Sequence, residues 1–459
     1  MSRLDHIKLS SFTEAYFIGI GGIGMSALAR YFKLNGWNVS GYDKTPSTLT
    51  NDLINEGIKI HYEDLGEDVM AQIEDISRCL FVYTPAIPLD HNELHCIKEK
   101  GLLLFKRSEV LGMITRESKG LGVAGTHGKT TTSSMLAHIL HQSNLGCNAF
   151  LGGIASNFNS NLLVNPESEF TVIEADEFDR SFLQLQPFAS IVTSTDSDHL
   201  DIYGDPDEFL KGFQQYAKLI NSNGVLVKRE GLSILSNAAI LTYAINSPSS
   251  DYEGSKLRLL NENFCMDVRT PFGNWSGVEL GIPGIHNAEN ALACIAMLHF
   301  LGLSEETIRE GLKSFKGVKR RFEYHVKTDQ LIYIDDYAHH PTEIHALISS
   351  VRMLYPNRKV IGIFQPHLFS RTRDFFDGFA RELSLLDEVI LMPIYPAREL
   401  PIPGVSSEAL LEAVTCQRKF LLDYQGILDH LKVSKNEVVL TIGAGDIDRI
   451  VEPICRLLR

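Results

Sequence analysis

Gly125, Gly128, Lys129, Thr130 and Thr131 fall together in LGVAGTHGKTTTSSMLAHIL, residues 121–140, and these are residue types that hold a polyphosphate. The two glycines allow a tight turn with free backbone N–H groups. The helical run that follows offers the positive end of its dipole to an anion. Lys129 adds a point charge for terminal phosphates, and the Thr130 hydroxyl is placed to ligate Mg²⁺. Val123 stands where the strict pattern has glycine, so the loop is a shortened variant. A plain strand-to-helix turn with a surface lysine would contain some of the same letters. Their joint arrival between an apolar strand and a helical run favours nucleotide binding.

Two acidic segments follow. VIEADEFDRSF carries Glu174, Asp176, Glu177 and Asp179 at the end of an apolar strand, and TSTDSDHLDIYG carries Asp196, Asp198, His199 and Asp201 at the end of the next. Adjacent parallel strands would bring both to the mouth of the phosphate loop. Mg²⁺ prefers oxygen and keeps several waters, so Glu174 is expected to bind it directly or through water. Imidazole suits softer ions, which makes His199 an unusual partner. Taken alone, either segment reads as a solvated loop or a set of helix caps.

Other groups stand at strand ends. Gly19-x-Gly21-x-x-Gly24 follows the strand AYFIGI, and Asp43 comes nineteen residues after Gly24. That spacing fits a dinucleotide-type turn whose acid bonds a ribose hydroxyl, or a tightly packed turn with no ligand. Thr84 closes the strand CLFVYTPAI. In GIPGIHNAENA, His286, Asn287 and Asn290 could read a base edge, or simply cap a helix beside a core histidine. Arg320 and Arg321 in KRRF could clamp phosphate from a closing domain, or form a basic linker. IDDYAHHPTEI places Asp335, Asp336, Tyr337, His339 and His340 before a helix, and two adjacent histidines point apart rather than form a metal pair. In FQPHLFSRTRDFF, the planar fork of Arg371 near His367 suits a small carboxylate, or an ion pair with Asp374 or Asp377.

These groups need three α/β blocks to position them. Strand, glycine turn, helix and strand succeed one another through AYFIGI and NVSGYD. A second block from Arg107 holds the phosphate loop and the strands FTVIEAD, ASIVTST and GVLVK. Residues 240–280 look like short antiparallel strands. After GVKRRF, the runs LIYIDD, KVIGIFQ, EVILMPI and EVVLTIGAG alternate with helices as in a doubly wound sheet. A length of 459 residues implies two to four domains. The net charge of −14 argues against a nucleic-acid or anionic-membrane surface. Seven scattered cysteines without a CxxC pair, and no signal-like or membrane-length apolar run, suggest a reduced, cytoplasmic protein.

In order, GIGGIGMS, GTHGKTTT, EADEFDRSF, DHLDIYG, GIHNAENA, DDYAHHPTE and FQPHLFSRT resemble the motifs of the Mur ligases, ATP-dependent amide-bond-forming enzymes of peptidoglycan synthesis. The resemblance runs from Tyr16 to the GAGDI at 443–447. It implies a three-domain α/β architecture: a Rossmann-like UDP-sugar-binding domain at residues 1–106, a P-loop ATPase-like central domain at 107–317, and a Rossmann-like amino-acid domain at 318–459. The implied substrates are UDP-N-acetylmuramate, ATP with Mg²⁺ and L-alanine. Gly21, Gly22, Ile23 and Gly24 would approach the UDP pyrophosphate, with Asp43 and Thr84 nearby. Gly125, Thr126, His127, Gly128, Lys129, Thr130 and Thr131 would hold ATP, while Thr130, Glu174 and His199 would bind or organise Mg²⁺. The alternative role for His199 is base for the amine, since one residue does not easily act as metal ligand and base at once. Asn287 and Asn290 would face adenine, Arg321 would reach phosphate, and Asp335 the ribose. Tyr337, His367 and Arg371 would line the alanine site. Ser194 and Leu368 depart from the family pattern. The alternatives are a ligase that attaches a recycled tripeptide to the same sugar, an NAD-dependent oxidoreductase, and a noncatalytic nucleotide sensor. The expected assembly is a monomer or homodimer.

Overall fold

In the computed structural model, which describes residues 7–85, 87–88, 90–196, 200–260, 263–397 and 399–459, three sheets carry the chain. The first is built from β1 (Glu14–Ile18), β2 (Asn38–Tyr42), β3 (Lys59–His61), β4 (Cys79–Tyr83) and β5 (Leu104–Lys106), in the order β3-β2-β1-β4-β5. All four pairings are parallel. The run Ala15-Tyr16-Phe17-Ile18 has no accessible surface, as a parallel strand covered on both faces requires. The order changes direction at β1, so its C-terminal glycine turn opens at a topological switch point.

The middle sheet comprises β6 (Lys119–Ala124), β7 (Asn148–Ala155), β8 (Ser160–Leu163), β9 (Phe170–Glu174), β10 (Ala189–Val192), β11 (Val225–Arg229), β12 (Ala239–Ile245), β13 (Tyr252–Leu260), β14 (Asn263–Thr270) and β15 (Gly273–Leu280). Their order is β15-β14-β13-β12-β11-β10-β6-β9-β7-β8. Strand β6 is central, with β9 and β10 parallel to it on either side. The helix Lys129–Gln142 leaves its C-terminal end and is almost wholly buried.

Residues 240–280 form strands as expected, with a departure from antiparallel pairing at β12. Strands β12 to β15 run for 7 to 9 residues and extend the sheet, and β12 pairs in parallel with both β11 and β13. Polar letters on one face concealed apolar ones on the other, such as Phe264, Met266 and Val268, all at most 1% exposed.

The third sheet is β16 (Glu323–Lys327), β17 (Ile332–Asp336), β18 (Val360–Phe364), β19 (Glu388–Leu391), β20 (Arg418–Leu421) and β21 (Val438–Ile442), in the order β16-β17-β21-β18-β19-β20. It is parallel except for the edge strand β16. By packing, the chain divides into two compact units. The first is Met1–Ser255 with Asp267–Val278 and Glu289–Phe315, and the second is Lys256–Met266 with Glu279–Ala288 and Lys316–Arg459. All seven cysteines are buried and unbridged, and among the described residues no helix is long and apolar enough to cross a membrane.

Candidate active site

In the first unit the phosphate loop is built around two left-handed glycines, Gly125 at φ +134° and Gly128 at φ +82°. A Cβ at Gly125 would stand 2.1 Å from Thr193 Oγ1, and one at Gly128 would stand 2.7 Å from Asn290 Oδ1. Only glycine fits either place. Asn290 is buried against the loop, so its side chain braces the turn. The segment after β10 holds the other side: Ser194 Oγ accepts from His127 N at 2.9 Å, and Thr126 Oγ1 donates to the Asp196 carbonyl at 2.6 Å. His127 Nε2 lies 3.4 Å from Asp196 Oδ2. Gly128 is the N-cap of the helix and offers no side-chain cap, leaving its first amides facing the loop. Thr130 and Thr131 follow, both buried.

Lys129 folds back into this loop. Its Nζ donates to Gly125 O at 2.6 Å and to Glu177 Oε1 at 2.8 Å, with Thr126 O at 3.4 Å. Burial works against the ammonium, but the carboxylates of Glu177, Asp176 and Glu174 outweigh it and hold Lys129 above its ordinary range. Glu174 ends β9, where its Oε2 accepts from Gly152 N at 3.0 Å. His199 and Asp198 lie outside the described residues.

The first glycine turn belongs to the same unit. Gly21 N donates to Asp43 Oδ2 at 2.7 Å, so the acid expected to meet a ribose closes its own turn. Gly19, at φ +87°, leaves room for Thr84, whose Cγ2 would be 2.7 Å from a Cβ there. The helix Ile23–Leu34 begins at Gly22, and Asn161 Nδ2 donates to the Ile23 carbonyl at 2.6 Å. Arg107 lies across Gly24, where a Cβ would stand 2.9 Å from its Cδ and Nη1, and its Nη2 lies 3.5 Å from Asp176 Oδ2.

The second unit gathers a different set. The guanidinium groups of Arg320 and Arg321 both lie over the Tyr337 ring, at 5.2 Å and 5.0 Å from its centre. Arg321 also lies 4.0 Å from Glu343. His339 Nδ1 donates to the Tyr337 carbonyl at 3.0 Å, and its ring is 6.4 Å from that of His367. Arg371 Nη1 donates to His367 Nδ1 at 3.3 Å, and the His367 ring stacks on Tyr395. Burial, helped by Arg371, pushes His367 down to about 4. Burial, with Arg371 and Arg321, likewise takes His339 to about 4. Both rings are therefore neutral near pH 7. Hydrogen bonding fixes complementary tautomers, with a lone pair at Nε2 of His339 and a proton at Nε2 of His367. His340 turns away to cap the helix Pro341–Leu354.

Asp335 has no accessible surface, and its two oxygens accept from Arg320 Nε at 3.0 Å and Thr441 Oγ1 at 2.6 Å. Asn287 donates to the Pro283 carbonyl at 2.5 Å, and His286 is pushed down to about 4 by burial and then by Arg321.

Sequence reasoning gave no role to Glu177, Arg107 or His339. Four acids within six residues, Glu174 to Asp179, carry no mark of which one faces the lysine. The backbone turns left-handed just beyond Glu177, at Asp179 (φ 50°) and Arg180 (φ 54°), and that local path is not written in residue type.

The fold and this corner define a nucleotide-binding α/β class: a phosphate loop on a central parallel strand, acids on one flanking strand, and a glycine-turn sheet before it. The family is found by comparison. Models described as the Mur ligase family catalytic domain, the Mur ligase middle domain and the Mur ligase glutamate ligase domain match residues 14–119, 123–298 and 320–445. A UDP-N-acetylmuramate–L-alanine ligase of Phocaeicola vulgatus is 49% identical over 98% of this chain and 99% of its own. One from Porphyromonas gingivalis is 49% identical over 97% and 99%. The crystal structure of a UDP-N-acetylmuramate–alanine ligase from Thermotoga maritima superposes with a TM-score of 0.81 at 27% identity, covering 96% of this chain and 99% of that one. The chain belongs to the Mur ligase family.

Proposed function

We propose that this enzyme joins L-alanine to UDP-N-acetylmuramate at the expense of ATP, in cytoplasmic synthesis of peptidoglycan precursors. The observation that carries the reading is the buried Lys129 ammonium, folded into a glycine loop beside Glu174, Asp176 and Glu177. The names borne by relatives nearly half identical to it supply the substrates.

Residues 1–106 would take the UDP-sugar, 107–317 the ATP and 318–459 the amino acid. The lactyl carboxylate attacks the γ-phosphorus, giving an acyl phosphate and ADP. The amine of alanine then attacks the acyl carbon, and the tetrahedral intermediate expels phosphate. Anions meet in the first step, so Lys129 and the amides from Gly125 to Thr131 must offset their repulsion. The donor set suits Mg²⁺, since Thr130 and Glu174 offer hard oxygens beside a phosphate cradle that a Cβ would fill. When bound, that ion would neutralise charge on the phosphates. His199 would either organise the metal or serve as the base for the amine, not both at once. Asn290, which braces the loop, and Asn287 would each face adenine, and Arg321 would reach phosphate. Asp335, with both oxygens taken, serves the ribose side by orienting Arg320.

In the amino-acid pocket, Arg371 and the Nε2–H of His367 would hold the alanine carboxylate. The His339 lone pair would accept from the amine, and the Tyr337 ring would wall the small side chain. At the first turn, Gly21 to Gly24 would meet the pyrophosphate, with Asp43 fixing the turn and Thr84 behind it.

Phosphate release tests this. It should require both UDP-N-acetylmuramate and L-alanine, with glycine, L-serine and the tripeptide slower. No release with alanine, or faster release with the tripeptide, would overturn the assignment.

A further inference from the structure

Glu177 is 1% exposed, and among the described residues its carboxylate has a single side-chain partner. Oε1 accepts from Lys129, whereas Oε2 is buried with no hydrogen-bond partner among the described residues. What holds Glu177 in place is its main chain. Its carbonyl accepts from Tyr203 Oη at 2.7 Å and from Arg180 N at 3.0 Å. The acids on either side are drawn outward, Asp176 to Arg107 at 3.5 Å and Asp179 to Lys106 at 2.8 Å. Of the four acids in the segment, Glu177 is the one that meets the phosphate-loop lysine.

An ammonium has three N–H donors. In this loop they face Gly125 O, Thr126 O and Glu177 Oε1. A phosphate oxygen gains a donor from Lys129 only if one of these acceptors loses it. The two carbonyls are neutral. Burial, with Asp176, pushes the Glu177 carboxyl up, while the Lys129 ammonium bonded to it favours the carboxylate, and arriving phosphates repel that carboxylate. The Glu177 contact is therefore the one to break.

We propose that Glu177 is a positioning residue for Lys129, competing with nucleotide phosphates for the ammonium and thereby setting nucleotide affinity and easing the departure of ADP. This inference rests on the reading that Lys129 meets the terminal phosphates. The direction of the trade follows the charge on the nucleotide. ATP, with its γ-phosphate, draws Lys129 from Glu177 more strongly than ADP does, so phosphoryl transfer tips the lysine back toward the carboxylate. An acid placed here lowers affinity for both nucleotides and weighs most against retention of the product.

The test is calorimetric titration of the full chain with ADP and with a non-hydrolysable ATP analogue, in EDTA so that metal held by the acids does not enter. Glu177→Gln should bind ADP about tenfold tighter, because an anion competing for one charge-assisted contact has been removed. Glu177→Asp should stay near wild type. In a Lys129→Ala background the Gln substitution should give no tightening, which a general packing effect would not reproduce. Steady-state kinetics should show a lower KM for ATP together with a lower kcat limited by ADP release. Glu177→Ser carries the same expectation and decides the matter if the Gln variant does not fold. Unchanged or weaker ADP binding in a variant with wild-type Tm overturns the proposal while leaving Lys129 in its role. Lys129→Ala binding both nucleotides as wild type does would instead overturn the reading beneath it.

Discussion

The phosphate-loop corner of the first unit and the histidine–arginine pocket of the second both bury titratable side chains, yet they treat charge in opposite ways. At the loop, three carboxylates keep Lys129 charged although it is nearly enclosed. In the pocket, burial and neighbouring arginines strip the charge from His339 and His367. The difference follows the chemistry each would meet. A polyphosphate is recognised by net charge, and an ammonium kept in reserve suits it. A zwitterionic amino acid needs one cation for its carboxylate and neutral groups near its amine, because a second cation would repel that amine.

The strongest way to break this comparison is Lys129→Ala. ADP formation should fall at least about a thousandfold, as when a principal electrostatic stabiliser is lost, with UDP-sugar affinity unchanged. Near-normal turnover would take Lys129 out of the chemistry. Next comes Gly125→Ala, which combines a left-handed backbone with a clash on Thr193 and should cost about 2–3 kcal/mol of stability along with nucleotide binding. Gly22→Ala in the first turn, with φ −65° and no atom nearer than 3.6 Å, should stay within about 0.5 kcal/mol of wild type in denaturant titrations. Equal losses at the two glycines would contradict the packing described.

Arg371→Ala sharpens the pocket's half of the contrast. It should raise the KM for alanine about tenfold or more with a smaller change in kcat, and an unchanged KM would refute its role. The smallest effect concerns pH. His286, His339 and His367 sit near 4 when folded, whereas an unfolded histidine titrates near 6.5. The unfolded chain takes up protons first, so this contribution to stability is complete above about pH 6.5 and is lost as pH falls toward 4. Asp336, pushed up to about 6 by burial, works against that loss, since below pH 6 the folded state gains its proton first. Tm measured from pH 7 to 4.5 should decline, and His367→Gln should make the decline shallower. A flat wild-type profile would show these rings to be ordinary.

Much of this was legible in the residues. Strand–turn–helix units at AYFIGI and LGVAGTHGKT stand out because parallel strands buried on both faces leave uninterrupted apolar runs ending in glycine. The strands of the third sheet are readable for the same reason. What stayed hidden was decided by groups far apart in the chain. Asp335 looks like any strand-end acid until Arg320, 15 residues away, and Thr441, 106 away, occupy it. Asp43 has the spacing of a ribose ligand, but the nearest donor is the amide of Gly21 in its own turn. Glu177 was one acid among four until the backbone aimed it.

One guanidinium bears on both nucleotide-type turns of the first unit. Arg107 fills the space over Gly24 that a Cβ would need, and it also reaches the carboxylate next to Glu177. Asp176 is one of the carboxylates that hold Lys129 charged, so the surroundings of that ammonium depend in part on a guanidinium lying over the first glycine turn. The two glycine turns are thus joined electrostatically through a single side chain.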